Sequence, residues 1–350
     1  MRVLYFGFYD PDYARNRILI KGLKANNIEV LECRDDSHGL KKFFRLYKKH
    51  RAFKGKYDAM VVGFLGHAAM PLAKMVSSGP IIFDAFISLY ESNVFDRRSV
   101  RPKSVKAFYY WFLDWLSMKL ADVILFDTQE QIKYASREFK ADKGKFRRIF
   151  VGTDDSVFHP REVMDANRSD GLFTVYFHGS FIPLQGVDCI VKAAKLLEGE
   201  KIRFIVLGDG QTYPETKKLA DELKLESLDF ISRVGYDKLP DHINKADICL
   251  GIFGRTPKAG KVIPNKVYEC AAMKKPIVTA DTPAIRELFD DEDMVLIEPS
   301  PEKLASAILK LRDDPVLRNS ISDKAYDKVK SLANPEILGR ELKDIVLKLI

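Results

Sequence analysis

GIFGRTPKAGKVIPNKVYECAAMKKPIVTADTP, residues 251–283, is the stretch on which the reading of this chain turns. The apolar run DICLGI (247–252) enters it as a strand, and Gly254 to Gly260 break that strand into a loop. Pro264 suits the first turn of a helix, where its missing N–H costs nothing. That helix is expected to run to Met273, after which PIVTA (276–280) resumes β structure. Strand, loop, helix and strand make the unit of a parallel sheet. Arg255, Lys258, Lys261 and Lys266 crowd the loop and first helical turn, and Glu269 is the acid one turn further in. Free N–H groups at a helix start attract anions, so added cations suit a phosphate, with Glu269 placed to accept sugar hydroxyls. A solvated basic loop with Glu269 in a surface ion pair is the competing reading.

The same alternation extends both ways. Towards the amino end, strands are expected at RVLYFGF (2–8), IEVLEC (28–33), YDAMVVGF (57–64), PIIFDAF (80–86), DVILFDT (122–128) and FRRIFVG (146–152), with helical stretches between most of them. A second series follows at FTVYFHG (173–179), IRFIVLG (202–208), LDFI (228–231), DICLGI, PIVTA and MVLIE (294–298). The fold class is therefore α/β, with two doubly wound domains. We expect a first domain over 1–160, a second over 161–332 and a closing helix over 333–350. The polar stretch 161–171 (REVMDANRSDG) is the expected linker.

Composition fits that division. At 350 residues the chain exceeds one small core, and 46% apolar with 30% charged residues is a globular balance. A net charge of +8 suits anionic substrates, nucleic acid or an anionic membrane surface without choosing among them. Cys33, Cys189, Cys249 and Cys270 are far apart, with no C-x-x-C pair, so they read as buried free thiols in a reducing, cytoplasmic compartment. The start MRVLYFGFYDPDY lacks the layout of a signal peptide, and no uncharged run reaches the roughly 18 residues of a membrane span. Recognised nucleic-acid modules and metal-ligand clusters are absent from the sequence, so neither nucleic acid nor a metal is expected.

Ligands of doubly wound sheets bind beyond the carboxyl ends of the strands. In the first domain this places Tyr9, Asp10, Arg15, Asn16, His67, Asp84 and Thr128 at the expected site. Asp84 interrupts an apolar strand end and His67 follows Gly66. Each reads as a catalytic or acceptor-binding group, or as a capping aspartate and a satisfied loop histidine. Residues 40–56 carry eight Lys and Arg with four aromatics, and Leu40, Phe43, Phe44 and Tyr47 form a stripe at helical spacing. Such a helix either lies on anionic lipid or packs its stripe on the sheet. The basic-then-aromatic segment 97–116 (RRSVRPKSVKAFYYWFLDWL) supports a membrane-facing surface, although Tyr and Trp suit a core equally well.

Several ordered motifs resemble one family. VGTDDSVFHP (151–160), HGSFIPLQGVDCIVKAAKLL (178–197), LGDGQTYPETKKLADEL (207–223) and NKVYECAAMKKPIVTADTPAIREL (265–288) are similar, at the right separations, to passages of the retaining GT-B glycosyltransferases of family 4, the glycogen-synthase-like group 1 enzymes. The resemblance is densest from Thr174 to Leu288. It implies two Rossmann-like domains facing a cleft, an acceptor site on the first and a nucleotide-sugar site on the second. Two departures stand out. Ser180 and Gln185 occupy the positions where the family carries the Arg and Lys that hold the donor diphosphate, and Lys261 replaces the first of the family's paired glutamates. Glu269 matches the second, which binds the donor ribose.

The resemblance implies a hexosyltransferase that moves a sugar from a nucleotide-diphosphate donor to a saccharide or lipid-linked hydroxyl, with retention and without metal or other cofactor. Cell-envelope polysaccharide or glycolipid synthesis at the inner membrane face is the expected setting. Lys258, Lys261, Lys266 and Arg255 would hold the diphosphate in place of the lost pair. Glu269, Arg233, Gly208 and Gly210 would bind the nucleoside, with Gly179, Ser180, Gln185 and Asn265 forming the donor-site loop. Asp84 and His67 would be the catalytic pair, and Tyr9, Asp10, Arg15 and Asn16 would meet the acceptor. The alternatives are a nucleotide-sugar-binding protein without transferase activity and a sugar-nucleotide epimerase of the same architecture.

Overall fold

The computed structural model describes residues 1–161 and 171–350. The expected linker, 161–171, lies outside them but for its two end residues. The chain divides into two compact units. The first comprises Met1–Gly152 with Leu332–Ile350, and the second Thr153–Ser331. The division thus falls at 152/153, ahead of the expected 160/161, because the chain from Thr153 onward already packs with the second unit. Among the described residues, no helix is long and apolar enough to cross a membrane.

In the first unit the strands are β1 (Arg2–Gly7), β2 (Glu29–Arg34), β3 (Ala59–Val62), β4 (Ile81–Phe86), β5 (Val123–Phe126) and β6 (Phe146–Arg148). They form one sheet in the order β2-β1-β3-β4-β5-β6, every pair parallel. β3, β4 and β5 read as unbroken buried runs, as strands covered on both faces must. On one face lie α2 (Lys41–His50), α3 (Met70–Val76), α4 (Val105–Leu120) and α5 (Gln129–Phe139), packed through a core that includes Phe6, Met60, Phe83, Phe126, Met118 and Phe139.

The other face receives α1 (Ala14–Ala25) and α12 (Pro335–Leu347), which returns from the far end of the chain. These helices cross with their backbones in contact. A Cβ on Gly22 would lie 2.2 Å from the Pro335 carbonyl oxygen, and one on Gly339 would lie 2.1 Å from the Gly22 carbonyl carbon. Only glycine at both positions permits that approach. Asn26 Nδ2 donates to the Glu336 carbonyl at 2.8 Å and closes the end of the crossing.

The second unit contains β7 (Phe173–His178), β8 (Ile202–Leu207), β9 (Leu228–Ile231), β10 (Ile248–Leu250), β11 (Ile277–Ala280) and β12 (Val295–Ile297), parallel in the order β12-β11-β10-β7-β8-β9. Its helices are α6 (Val187–Leu196), α7 (Tyr213–Glu222), α8 (Leu239–Asn244), α9 (Asn265–Ala272), α10 (Pro301–Asp313) and α11 (Pro315–Leu332). The chain winds outward from β7 to β9, then returns to the other side of β7 at β10. That reversal is the topological switch point, where such sheets open a crevice for ligands. The closing helix expected over 333–350 is α12, started by the Asn334 cap and Pro335 after α11 ends at Leu332.

Replacing Gly339 by Leu overpacks the α1–α12 crossing and should destabilise the first unit by about 1–3 kcal/mol. Urea unfolding measures the loss, and limited proteolysis should show new cleavage near 332–335. An unchanged urea midpoint would show that the crossing contributes little.

Candidate functional site

At the switch point of the second sheet, the segment after β7 and the segment after β10 lie backbone against backbone. Gly186 adopts φ +63°, and a Cβ there would sit 2.4 Å from Phe253 and Gly254 backbone atoms. A Cβ on Gly254 would sit 2.4 Å from the Pro183 and Leu184 carbonyls. Two hydrogen bonds tie the segments, Phe253 N to Gln185 O at 3.0 Å and Gly254 N to Leu184 O at 3.1 Å. Leu184, Ile252 and Ala259 pack beneath them. This contact holds Gln185 beside the first turn of α9, which no side chain caps.

The Lys266 ammonium donates to Gln185 Oε1 and lies 4.3 Å from the centre of the Phe177 ring. It is 4% exposed. Among the described residues no carboxylate lies within ion-pair distance of it. Glu269, one turn on along α9, is instead bound through Oε2 to His178 Nε2 at 2.7 Å. Burial pulls the Lys266 amine down to about 7, against opposite pulls from Cys270 and Glu269. The structure therefore gathers Lys266, Gln185, Glu269 and His178, with Gly179 so close that a Cβ there would meet the Lys266 Nζ at 3.0 Å. A desolvated cation without an anion, beside an uncapped helix start, is suited to receive phosphate oxygens.

The other expected donor-site residues separate from this group in different ways. Arg255 is exposed and donates to the Pro299 carbonyl, while Lys261 Nζ donates to the Pro257 carbonyl at 2.9 Å. Lys258 is buried. Arg233 and Ser180 are exposed, and Asn265 opens α9. Gly208 and Gly210 are glycine for a reason internal to the fold. A Cβ on Gly208 would lie 2.0 Å from the Gly179 carbonyl oxygen, and one on Gly210 would lie 2.7 Å from that of Phe181. They let the β7 and β8 ends pack together. His178 was not among the expected site residues. Its signal was a histidine as the last residue of a strand, directly before the first glycine break.

The first unit closes its own sheet edge. Asp84 is fully buried, and Arg15 holds it through Nε at 3.1 Å and Nη2 at 3.0 Å. Arg15 Nη1 also donates to the carbonyls of Ile149 at 2.6 Å and Phe150 at 2.9 Å. Burial pushes the Asp84 carboxyl up, and Arg15 pulls it the other way. His67 is buried with Nε2 3.1 Å from Asp114 Oδ1, while Asp114 accepts from Ser88 Oγ and the amides of Leu89 and Tyr90. Asn16 accepts from Phe64 N and Tyr5 Oη and donates to the Asp10 and Phe64 carbonyls. Tyr9 donates to Glu32, Thr128 caps α5, and Asp10, exposed, accepts from Asp12 N. The expectation of Asp84 and His67 as a catalytic pair, and of Arg15 and Asn16 as acceptor contacts, thus meets four buried side chains. Asp84, Arg15 and Asn16 are hydrogen-bonded inside the unit, while His67 lies beside Asp114 with neither ring nitrogen in a hydrogen bond. Polar strand ends in a covered sheet need partners, and these residues supply them.

Residues 173–314 match the family model described as glycosyl transferases group 1. The alpha-D-kanosaminyltransferase of Streptomyces kanamyceticus is 27% identical over 157 residues, covering 43% of this chain and 39% of that protein. A GDP-mannose-dependent monoacylated alpha-(1-6)-phosphatidylinositol monomannoside mannosyltransferase of Corynebacterium glutamicum is 24% identical, covering 64% of this chain and 62% of its own length. The matches thus span less than two thirds of these relatives. In structure, Anabaena HepE in complex with UDP superposes with a TM-score of 0.76 over 100% of both chains at 14% identity. Sucrose-phosphate synthase of Thermosynechococcus elongatus does so with a TM-score of 0.80 over 100% and 99% at 14% identity. The fold is the two-domain, Rossmann-like GT-B architecture of those proteins.

Two substitutions test the contrasting roles of the two sheet edges. Asp84→Ala strands a buried guanidinium and should cost about 3–5 kcal/mol in urea unfolding. Lys266→Met should do the opposite at pH 6, raising stability by a few kcal/mol, on the order set by a pKa displaced several units. The sign follows from linkage. With the folded pKa near 7 and the unfolded one near 10.4, the unfolded chain binds the extra proton between those values, so wild-type stability rises with pH across that window. The Lys266→Met gain should shrink from pH 7 upward. A variant equally stable with wild type at pH 6 would show that the amine carries no burial penalty.

Proposed function

We propose that this chain is a group 1 glycosyltransferase that moves a glycosyl group from a nucleotide-diphosphate sugar to a hydroxyl acceptor, with retention at the anomeric carbon. The observation that carries this reading is the buried Lys266 amine, hydrogen-bonded to Gln185 and without a carboxylate partner among the described residues, inside the segment that matches the family. Gln185 stands where the family resemblance calls for a lysine, and the Lys266 amine comes to that side chain from α9. A cation lost at one position is thereby supplied from the neighbouring helix.

In the proposed reaction the bond between the anomeric carbon and the diphosphate oxygen breaks, and the acceptor oxygen forms the new bond. The departing diphosphate gains negative charge, which Lys266 and the N–H groups at the start of α9 stabilise in a site poor in water. No metal is assigned to that task. The acceptor proton passes to the leaving phosphate oxygen. Glu269, oriented by His178, accepts the ribose hydroxyls through its carboxylate. Neutral Lys266 cannot offset the leaving charge, so donor binding draws a proton onto the amine when the pH exceeds 7. A role in envelope polysaccharide or glycolipid synthesis is part of the proposal. It is supported by the mannosyltransferase relative, whose own name specifies a phosphatidylinositol mannoside.

A thermal-shift panel of UDP-, GDP- and other nucleotide sugars should identify the donor. A specific ligand at a hundred times its Kd stabilises by about 2.7 kcal/mol. With that donor, Lys266→Ala and Glu269→Ala should each weaken binding roughly tenfold to a hundredfold by calorimetry, the worth of a charged hydrogen bond. Wild-type affinity should fall as pH rises above 7, and Lys266→Arg should flatten that slope. Unchanged donor affinity in both alanine variants would sink the assignment. Donor binding without transfer or hydrolysis on any acceptor would leave a binding protein, and an inverted product by NMR would remove retention. Turnover abolished by EDTA would overturn the metal-free step.

A further inference from the structure

The first unit carries a surface that the donor chemistry does not use. Along α4, Val105, Phe108, Tyr109 and Phe112 recur at helical spacing and face solvent, Val105 at 88% and Phe108 at 64% exposure. They form more than scattered contacts. Phe108 stacks on Phe112 and Trp111, Phe112 packs on Trp115, and Trp111 stacks on Trp115 at an interplanar angle of 8°. The ladder ends in a pocket of about 290 Å³ whose lining includes Trp115, Met118, Phe139, the three lysines Lys119, Lys140 and Lys145, and one acid, Asp142. Lys119 Nζ lies 4.9 Å from the Trp115 ring centre, and Lys145 Nζ donates to the Ala121 carbonyl at 2.7 Å.

Positive charge predominates around this face, although Glu138 accepts from Trp111 Nε1 at 3.0 Å and Asp142 lines the pocket. Residues 97–120 hold six Lys and Arg and a single acid, Asp114, which is buried. On the same helical layer, α2 buries Leu46 and packs Phe43 inward, yet exposes Leu40, Phe44 and Tyr47 among five Lys and Arg and no acid. The stripe expected on α2 is therefore split, part core and part surface. Apolar side chains projecting from a basic helical layer match the two zones of an anionic bilayer, hydrocarbon beneath and phosphate above. The lysine-lined pocket beside the aromatic ladder has the same duality on the scale of one headgroup.

We propose that the outer face of α4, with the pocket at its carboxyl end, docks on an anionic lipid bilayer, Phe108 and Phe112 entering the acyl boundary while Lys119 and Lys140 bind headgroup phosphate. The aromatic ladder delivers its apolar edge no deeper than the roughly 5–10 Å typical of interfacial helices. α2 adds a second basic contact on the same layer. Such docking would hold the chain at the surface where a lipid-linked acceptor is found, but it requires no donor and stands apart from the transfer reaction.

The two tryptophans of the chain, Trp111 and Trp115, are both in α4, so intrinsic emission reads this helix alone. The test mixes the full chain, without any sugar nucleotide, with vesicles of phosphatidylcholine or of phosphatidylcholine and phosphatidylglycerol in equal parts. Anionic vesicles should co-sediment the protein, shift its emission to the blue and quench it when the acyl chains are brominated. Binding should weaken steeply between 0.05 and 0.5 M salt, about one Debye length to a third of it. Phe108→Ser with Phe112→Ser, and separately Lys119→Glu with Lys140→Glu, should each weaken it on the order of tenfold or more. Both pairs are exposed, so urea midpoints and donor affinity should hold. Sedimentation without tryptophan quenching, equal binding to neutral vesicles, or indifference to both variant pairs would overturn the proposal. So would a concentration-dependent dimer that Phe108→Ser with Phe112→Ser abolishes, which assigns the face to a second copy of the chain.

Discussion

Polar groups brought to the carboxyl edge of a covered parallel sheet must find partners there, because water does not reach them and an unpaired charge is costly. Both units of this protein face that constraint and meet it in opposite ways. In the first, Arg15 bridges Asp84 to the Ile149 and Phe150 carbonyls, and Asn16 ties the β1 and β3 ends. Each of these partners belongs to the unit itself. In the second, Glu269 is matched by His178, and among the described residues Lys266 reaches a neutral amide oxygen and an aromatic face but no carboxylate. The cost of keeping that amine buried is what a diphosphate would relieve.

Backbone contact makes this arrangement reproducible. Gly186 and Gly254 bring two loops within the distance that any side chain would forbid, which fixes Gln185 next to α9. Gly208 and Gly179 do the same for the β7 and β8 ends. The glycines that follow the strands thus act first on each other. Their effect on a ligand is indirect, through the side chains whose positions they set. Gly22 and Gly339 serve the first unit likewise, seating the last helix of the chain on α1.

Stability and function pull Lys266 in different directions. A methionine there would relieve a buried charge, and the proposed donor would lose its cation. Asp84 shows no such tension, since its removal harms the first unit without any ligand. The face of α4 is a third case, in which Phe108 and Phe112 pack on the half-buried Trp111 and Trp115 yet stay exposed, and the proposed lipid surface would cover them.

Much of the fold was legible in the sequence, because most strands among the described residues are apolar runs closed by glycine or polar residues and the helices between them keep their spacing. The cluster of cations before α9 and the position of Glu269 were equally visible, since local charge and helix starts are local properties. Residue type alone could not say which cation turns inward. Lys266 differs from Arg255 and Lys261 in facing Phe177 and Gln185, residues some eighty positions away that a loop contact brings beside it. For the same reason the sequence left Asp84 and His67 open between a functional and a structural reading, and only the fold sets Arg15 and Asp114 against them. Periodicity and punctuation in the chain determined the elements and their alternation. Partnership between distant polar groups was decided only in three dimensions, where burial sets the cost of every charge left unmatched.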